Sequence, residues 1–408
     1  MNKSKLRAYA KLIARRGLNV KKNQDVLIQT GLEQPEFLEM VVTELYKAGA
    51  RKVMVDFYYL PLSKIHNKYR SIEAMSKIED FELEKIKWRS KNLPCILFLD
   101  SDDPDGLVGI NQEKESIAMS KRYPIIKPYI DLMENKYQWC IAGVPGIKWA
   151  KKVFPNLSNK KAIEALWENI LKCSRSYEGD PIENWDLHNN DLLNRCNYLN
   201  SLGLKELRYK SSNGTDFTVG LISDALFMGG KETSLLKNDF NPNIPSEEIF
   251  TSPKKGLCNG VLHATKPLSY RGEVIDDFYF VFKDGKVVEA HASTNEELLN
   301  KMINEDENAC FLGEVAFVPF NSPINNTNLL FYNTLFDENA CCHVALGHGF
   351  TNVIKDYEKY SLEELRDKGI NDSMIHVDFM VGSSDLSIVG IDNKGVEHTI
   401  FKDGNWAF

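Results

Sequence analysis

Between residues 25 and 57 an apolar run, an amphipathic segment and a second apolar run follow one another with short connections. Asp25-Val-Leu-Ile-Gln-Thr30 comes after Lys-Lys-Asn and reads as a buried strand. Gln34 to Gly49 places Phe37, Met40, Val41 and Leu45 on one helical face, with Gly49 where a C-cap belongs. Lys52-Val-Met-Val-Asp-Phe57 is the next strand. Strand, helix and short return together require a right-handed parallel crossover. Cys95-Ile-Leu-Phe-Leu99 and Trp139-Cys-Ile-Ala-Gly-Val144 repeat the pattern with helical segments between. The first 200 or so residues are therefore expected to form an open, mostly parallel α/β layer.

Residues 4–16 space Leu6, Tyr9, Leu12 and Ile13 along one helical face, and 159–174 and 183–199 read as two further helices. After Gly203 strand-like runs dominate: Lys205–Tyr209, Asp216–Leu221, Phe278–Phe282 and Val287–Ala290. Lys283-Asp-Gly-Lys286 is a tight turn of the kind that joins antiparallel strands. The expected fold is α/β in two parts. A mostly parallel N-terminal α/β domain spans 1–202, and a mixed-sheet α/β domain spans 203–408.

The 408 residues suffice for two or three domains and a large core, at roughly 150 residues per domain. A net charge of −7 argues against nucleic acid as a main partner, since phosphate contacts call for a basic excess. The eight Cys are scattered, none in a C-x-x-C pair, as in a reduced, cytoplasmic protein. The basic N-terminus has no apolar h-region or cleavage site, and no apolar run approaches the 18 residues or so of a membrane span. No membrane partner is expected.

In the N-terminal half, Asp100-Ser-Asp-Asp-Pro-Asp105 follows a strand and reads as a solvated loop, since the glycine and terminal Glu of a calcium hand are absent. Gly229-Gly230-Lys231 lacks the glycine spacing of a phosphate loop, and His66 and His188 stand alone. The C-terminal half is richer. His376-Val-Asp378 lies in an apolar stretch that reads as a strand, so imidazole and carboxylate share one face and make a natural metal edge. Glu338 and His343 are five residues apart, so the chain must bend between them if both reach one site; Asp337 reads as the N-cap of a helix start. Glu314 is the one charge within Phe311–Val318 and, if buried, needs a partner or a metal. Glu247 and Glu248 precede Ile249; a capping box on Ser246 competes with Pro253, which leaves little room for a helix.

Taken in order, NIPSEEIFTSP (243–253), ATKPLSYRG (264–272), FKDGKVV (282–288), LGEVAFVPFNSPI (312–324), LLFYNTLFDENACCHVALG (329–347) and HVDFMVG (376–382) resemble the aminopeptidase T / aminopeptidase S family of bacterial dinuclear metallopeptidases. The resemblance covers most of 240–408 and extends weakly over the N-terminal half. It implies that the metal ligands fall on Glu248, Glu314, Glu338, His343, His376 and Asp378. Glu248 is preferred to its neighbour Glu247 because the segments align on it without gaps. One position departs: the family commonly has a Tyr seven residues after His343, lining the active site, and this chain has Phe350. His348, in the same Leu-Gly-His-Gly-Phe segment, is a second residue for that lining.

Four carboxylates and two imidazoles exceed the four or so ligands one zinc ion takes, and suit two divalent ions (Zn, Co or Mn) about 3.5–4 Å apart. The resemblance thus implies a metallo-aminopeptidase that hydrolyses the first peptide bond of peptides with a free N-terminus. Glu314 or Glu248 would be the proton acceptor, and the chain would be a cytoplasmic homodimer. Two other readings compete. A mononuclear non-haem iron ring-cleaving dioxygenase would need only His343, His376 and Asp378, leaving three acids without use. A catalytically weakened binding protein would explain Phe350 but not an intact ligand set.

Overall fold

The structure, a computed structural model, describes residues 2–408 and resolves them into two compact units. The first runs through Leu187 and includes Lys231–Pro245 and Arg271–Glu273. The second comprises His188–Gly230, Ser246–Tyr270 and Val274–Phe408.

The first unit is built on a five-stranded parallel sheet. Its strands lie in the order Asn243–Ile244, Trp139–Gly143, Cys95–Asp100, Asp25–Thr30, Lys52–Phe57. The crossover expected from residues 25–57 is present, with Val26 paired to Val53 and Ile28 to Val55. Its helix, Pro35–Ala48, starts with Pro at the first turn, where the missing N–H is not needed, and stops at Gly49, whose φ of 117° only glycine adopts readily. Phe37, Val41 and Leu45 are its buried stripe. Truncating any of them to Ala removes about 2–5 kcal/mol of packing. Phe37 stacks on Tyr9 at 5.6 Å and meets Trp167 edge-on at 5.0 Å, which ties the first helix, Lys3–Leu12, to Asn159–Cys173. The helix expected over 4–16 thus ends at Leu12 and continues as a π-helical turn, Ile13–Gly17.

The second unit holds two antiparallel sheets. In the larger, the strands run Leu268–Tyr270, Glu273–Lys283, Pro253–His263, Asp216–Leu221, Leu204–Lys210, Ser387–Asp392, Glu397–Lys402, Asn405–Trp406, with Lys286–Thr294 beside Glu273–Lys283. The 283–286 turn closes that last hairpin, with Asp284 and Gly285 both at positive φ as a primed turn requires. The smaller sheet has the order His376–Met380, His343–Gly347, Leu312–Phe317, Ile249–Thr251, Met228–Gly229. Phe217, Phe278, Phe280, Phe317 and Phe379 are buried in a core that both sheets contribute to. All eight Cys are buried and, among the described residues, none is in a disulfide. Among the described residues no helix is long and apolar enough to cross a membrane.

Candidate metal centre

Three neighbouring strands of the smaller sheet build one chemical face. Glu314 pairs with Ala345, and Ala345 with Asp378, so the two acids occupy one row across the sheet with a methyl group between them. Two residues along the strands, the next row reads Ala316, His343, Met380; in the other direction Gly347 pairs with His376. Residues directly opposite in antiparallel strands point to the same side, so these ionisable side chains converge. The residues between them are small, which leaves the charged groups room to approach. Gly347 is fixed by sterics as well: its φ is 101°, and a Cβ there would stand 2.1 Å from the Ile375 carbonyl. Glu248 enters from the adjacent edge, one residue before the strand Ile249–Thr251.

His343 Nε2 lies 3.1 Å from Glu248 Oε2 and 4.0 Å from Glu314 Oε1. His376 Nε2 lies 3.2 Å from Glu314 Oε2 and 3.3 Å from Asp378 Oδ1. Two triads result, Glu248–Glu314–His343 and Glu314–His376–Asp378, each with ligand atoms within 4.8 Å of one another and with Glu314 in both. Glu338 is buried beside them but belongs to neither triad. It begins a 3₁₀ turn, Glu338–Ala340; Cys341 is then extended and His343 opens its strand. That is the bend their spacing requires. Asp337 occupies the N-cap position of that turn, though its side chain makes no capping bond there. It closes the short helix Thr334–Asp337, and its carboxylate accepts the N–H groups of Phe331 at 2.8 Å and Asn333 at 3.0 Å.

Burial of so many acids has electrostatic consequences. Burial pushes Glu314 up to about 7, against the hydrogen bond from His376 and with the charges of Glu248 and Asp378 adding to the rise. Burial likewise drives Glu338 well above the carboxylate range, reinforced by Asp378, Glu248 and Glu314. For His343 burial acts downward, yet the contact with Glu248 and the surrounding carboxylates carry it up to about 9. The site thus calls for positive charge. Two divalent ions would nearly balance four carboxylates, and imidazole with carboxylate is a donor set for zinc, cobalt or manganese. The imidazoles are prepared for that role. His343 Nδ1 is buried with no hydrogen-bond partner, and Nε2 faces Glu248. His376 donates Nδ1–H to the His348 carbonyl at 2.7 Å, which turns Nε2 toward Glu314 and Asp378.

His348 touches this arrangement through its backbone. Its imidazole Nδ1 faces Asp372 at 3.5 Å, whose other oxygen is 3.3 Å from Arg366. The Phe350 ring lies 5.1 Å from that of His376 and meets Phe250 edge-on at 5.2 Å, giving the centre an apolar wall. Ser246–Glu248 forms no helix, so Ser246 caps none; His188, far from isolated, hydrogen-bonds the Ser246 carbonyl at 2.7 Å. Asn339, fully buried, accepts the Glu247 N–H at 2.7 Å and was not singled out by sequence, because an Asn beside a Glu carries no periodic signal. In the first unit Lys148 and Lys152 pair with Asp103 and Asp105, each at 2.9 Å, and the 100–105 loop is half-buried rather than solvated, with Ser101 buried.

The profile of a family described as thermophilic metalloprotease (M29) matches residues 2–406. The chain is 38% identical over 401 residues to aminopeptidase 2 of Geobacillus stearothermophilus, covering 98% of this chain and 97% of that protein. It is 36% identical over 407 residues to aminopeptidase AmpS of Bacillus subtilis (strain 168), covering 99% and 98%. The solved structure of wild-type AmpT from Thermus thermophilus superposes with a TM-score of 0.89 at 31% identity, over 100% of both chains.

Proposed function

The chain belongs to the thermophilic metalloprotease (M29) family and is a metallo-aminopeptidase, and from that premise we propose that it works through a dinuclear centre held by Glu248, Glu314, Glu338, His343, His376 and Asp378. The observation that carries this reading is the pair of triads sharing Glu314. Each triad would hold one ion, with Glu314 contributing to both. Glu338, in the field of the three other acids Glu248, Glu314 and Asp378, completes the set. When bound, such ions supply Lewis acidity, lowering the pKa of a shared water toward about 7 and polarising the scissile carbonyl.

The chain's own residues do the rest. A carboxylate oxygen of Glu314 or Glu248 takes the proton of the attacking water and passes it to the leaving amine. The carbonyl of His348 keeps His376 in the tautomer that presents Nε2. The Phe350 and Phe250 rings give the His376 side an apolar wall. The substrate's free α-amine is read within the same acidic cluster, which makes the enzyme an exopeptidase. Zinc, cobalt or manganese as the ion, a homodimer as the assembly and the cytoplasm as its place complete the proposal, with 203–408 as the catalytic part and 1–202 as the supporting one.

The iron dioxygenase reading would use His343, His376 and Asp378 around one ion. That combination is not among the clusters whose ligand atoms lie within 4.8 Å of one another in the described residues, and His343 falls in a different triad from His376 and Asp378. A weakened binding protein is disfavoured by six intact ionisable positions, whose burial would be costly without a cation. Metal analysis together with a dipeptide panel tests the proposal: two divalent ions per chain with release of the first residue supports it, and one iron with no cleavage overturns it.

A further inference from the structure

We infer that His188 and Asn339 are positioning residues that clamp a single peptide plane and thereby set the two acids Glu248 and Glu338. The inference rests on the reading of those acids as metal ligands. The Ser246 carbonyl and the Glu247 N–H belong to one peptide group. His188 holds its oxygen end at 2.7 Å, and because the acceptor is a carbonyl, Nε2 must carry the proton. Asn339 holds its nitrogen end at 2.7 Å through Oδ1. The C=O and N–H of a trans peptide point in opposite directions, so the plane is gripped from two sides and cannot rotate. Glu248 is the next residue, with Oε2 3.1 Å from His343 Nε2.

Asn339 has a second hand. Its Nδ2 donates to the Leu335 carbonyl at 2.9 Å and to Glu338 Oε1 at 3.3 Å. One amide therefore fixes the main chain that carries Glu248 and the carboxylate of Glu338. His188, Ser246, Glu247 and Asn339 are all buried, so water does not substitute for either contact. The two anchors reach the loop from 58 and 92 residues away in sequence. Ligand geometry must hold to about 0.5 Å, and removing groups that orient ligands typically weakens metal affinity about 10–100-fold.

The test is a Co²⁺ titration of metal-free full-length protein, followed by d–d absorption, alongside the melting temperature of the metal-free form. His188→Leu and Asn339→Leu should each weaken Co²⁺ binding about tenfold or more. The double variant should lose much less than the product of the two, because both act on one peptide group. His188→Gln, which keeps a donor, should recover most of the affinity. If either Leu variant does not fold, the other, with His188→Gln, decides. Wild-type affinity in the folded Leu variants, with only a lowered melting temperature, would mean a purely structural role and overturn the inference. A wild-type protein that takes up no Co²⁺ would instead overturn the ligand reading on which the inference rests.

Discussion

Glu314 Oε2 lies 3.2 Å from His376 Nε2, and both residues reach that point from strands separated by the His343 strand between them. The reach is made possible by Ala345 and Gly347, whose side chains leave the middle strand nearly bare. Each imidazole then has its own pair of acids, and Glu314 serves both.

The first prediction concerns metal. Chelator should abolish activity of the purified protein, and a divalent ion should restore it. His376→Ala and Asp378→Ala, which share one triad and one strand face, should each bring bound metal well below two per chain by plasma emission analysis. Full occupancy in both variants would remove them from the ligand set.

Glu314→Gln preserves volume and removes both a charge and a base. The buried site loses one of its repelling carboxylates, so the fold should survive, while turnover of a dipeptide should fall by a factor of about 10² or more. Circular dichroism and steady-state rates on one preparation check both halves. A variant with near-normal rate would exclude Glu314 as ligand and as base.

His376 and Asp378 were readable because both sit on one strand, where a period of two is enough to place them on one face. The first unit's crossover was readable for the same reason: its signals lie within about thirty residues. Glu248 and Glu314 depend on cross-strand register, including an irregularity between Leu312 and Glu314, and no periodicity encodes that. Glu314 stood out as the one charge in an apolar run, but only the resemblance to a family assigned it and Glu248 to the metal. The anchoring of His188 and Asn339 is likewise tertiary, and a single buried His looks the same in sequence whether it holds a loop or faces solvent.

Asp102 gives a pH test away from the centre. Burial raises its carboxyl to about 6, with the charge of Asp100 adding, against a hydrogen bond from Tyr58. Its unfolded value is about 3.9. Between these values the folded state binds more protons than the unfolded, so stability falls as pH rises, and above about 6 the full cost is present. Asp102→Asn should therefore be more stable than the parent at pH 7 to 8, by about 1–2 kcal/mol once partial exposure is discounted, and no more stable near pH 3. Urea unfolding at the two pH values decides; an equal difference at both would mean that the gain does not come from ionisation.

Selectivity for a free N-terminus is the most direct consequence of reading an amine within a cluster of acids. Acetylation removes the basic lone pair and adds bulk where the amine must sit. Losing that contact with its desolvation left uncompensated should lower kcat/KM by a factor of about 10² or more, at about 1.4 kcal/mol per decade. The matched pair Leu-Gly-Gly and acetyl-Leu-Gly-Gly, followed for release of the first residue, measures it. Equal rates would replace the aminopeptidase mechanism proposed here with one that does not read the amine. Phe350 refines the experiment. Its ring lies against His376 but offers no hydrogen-bonding group. Phe350→Tyr would add a hydroxyl on that side of the centre, able to stabilise charge developing on the carbonyl oxygen. It should raise kcat on Leu-Gly-Gly while leaving the ratio between free and acetylated peptide unchanged, because it acts on the oxyanion and not on the amine. A change in that ratio, with kcat constant, would place the ring at the amine end of the substrate instead.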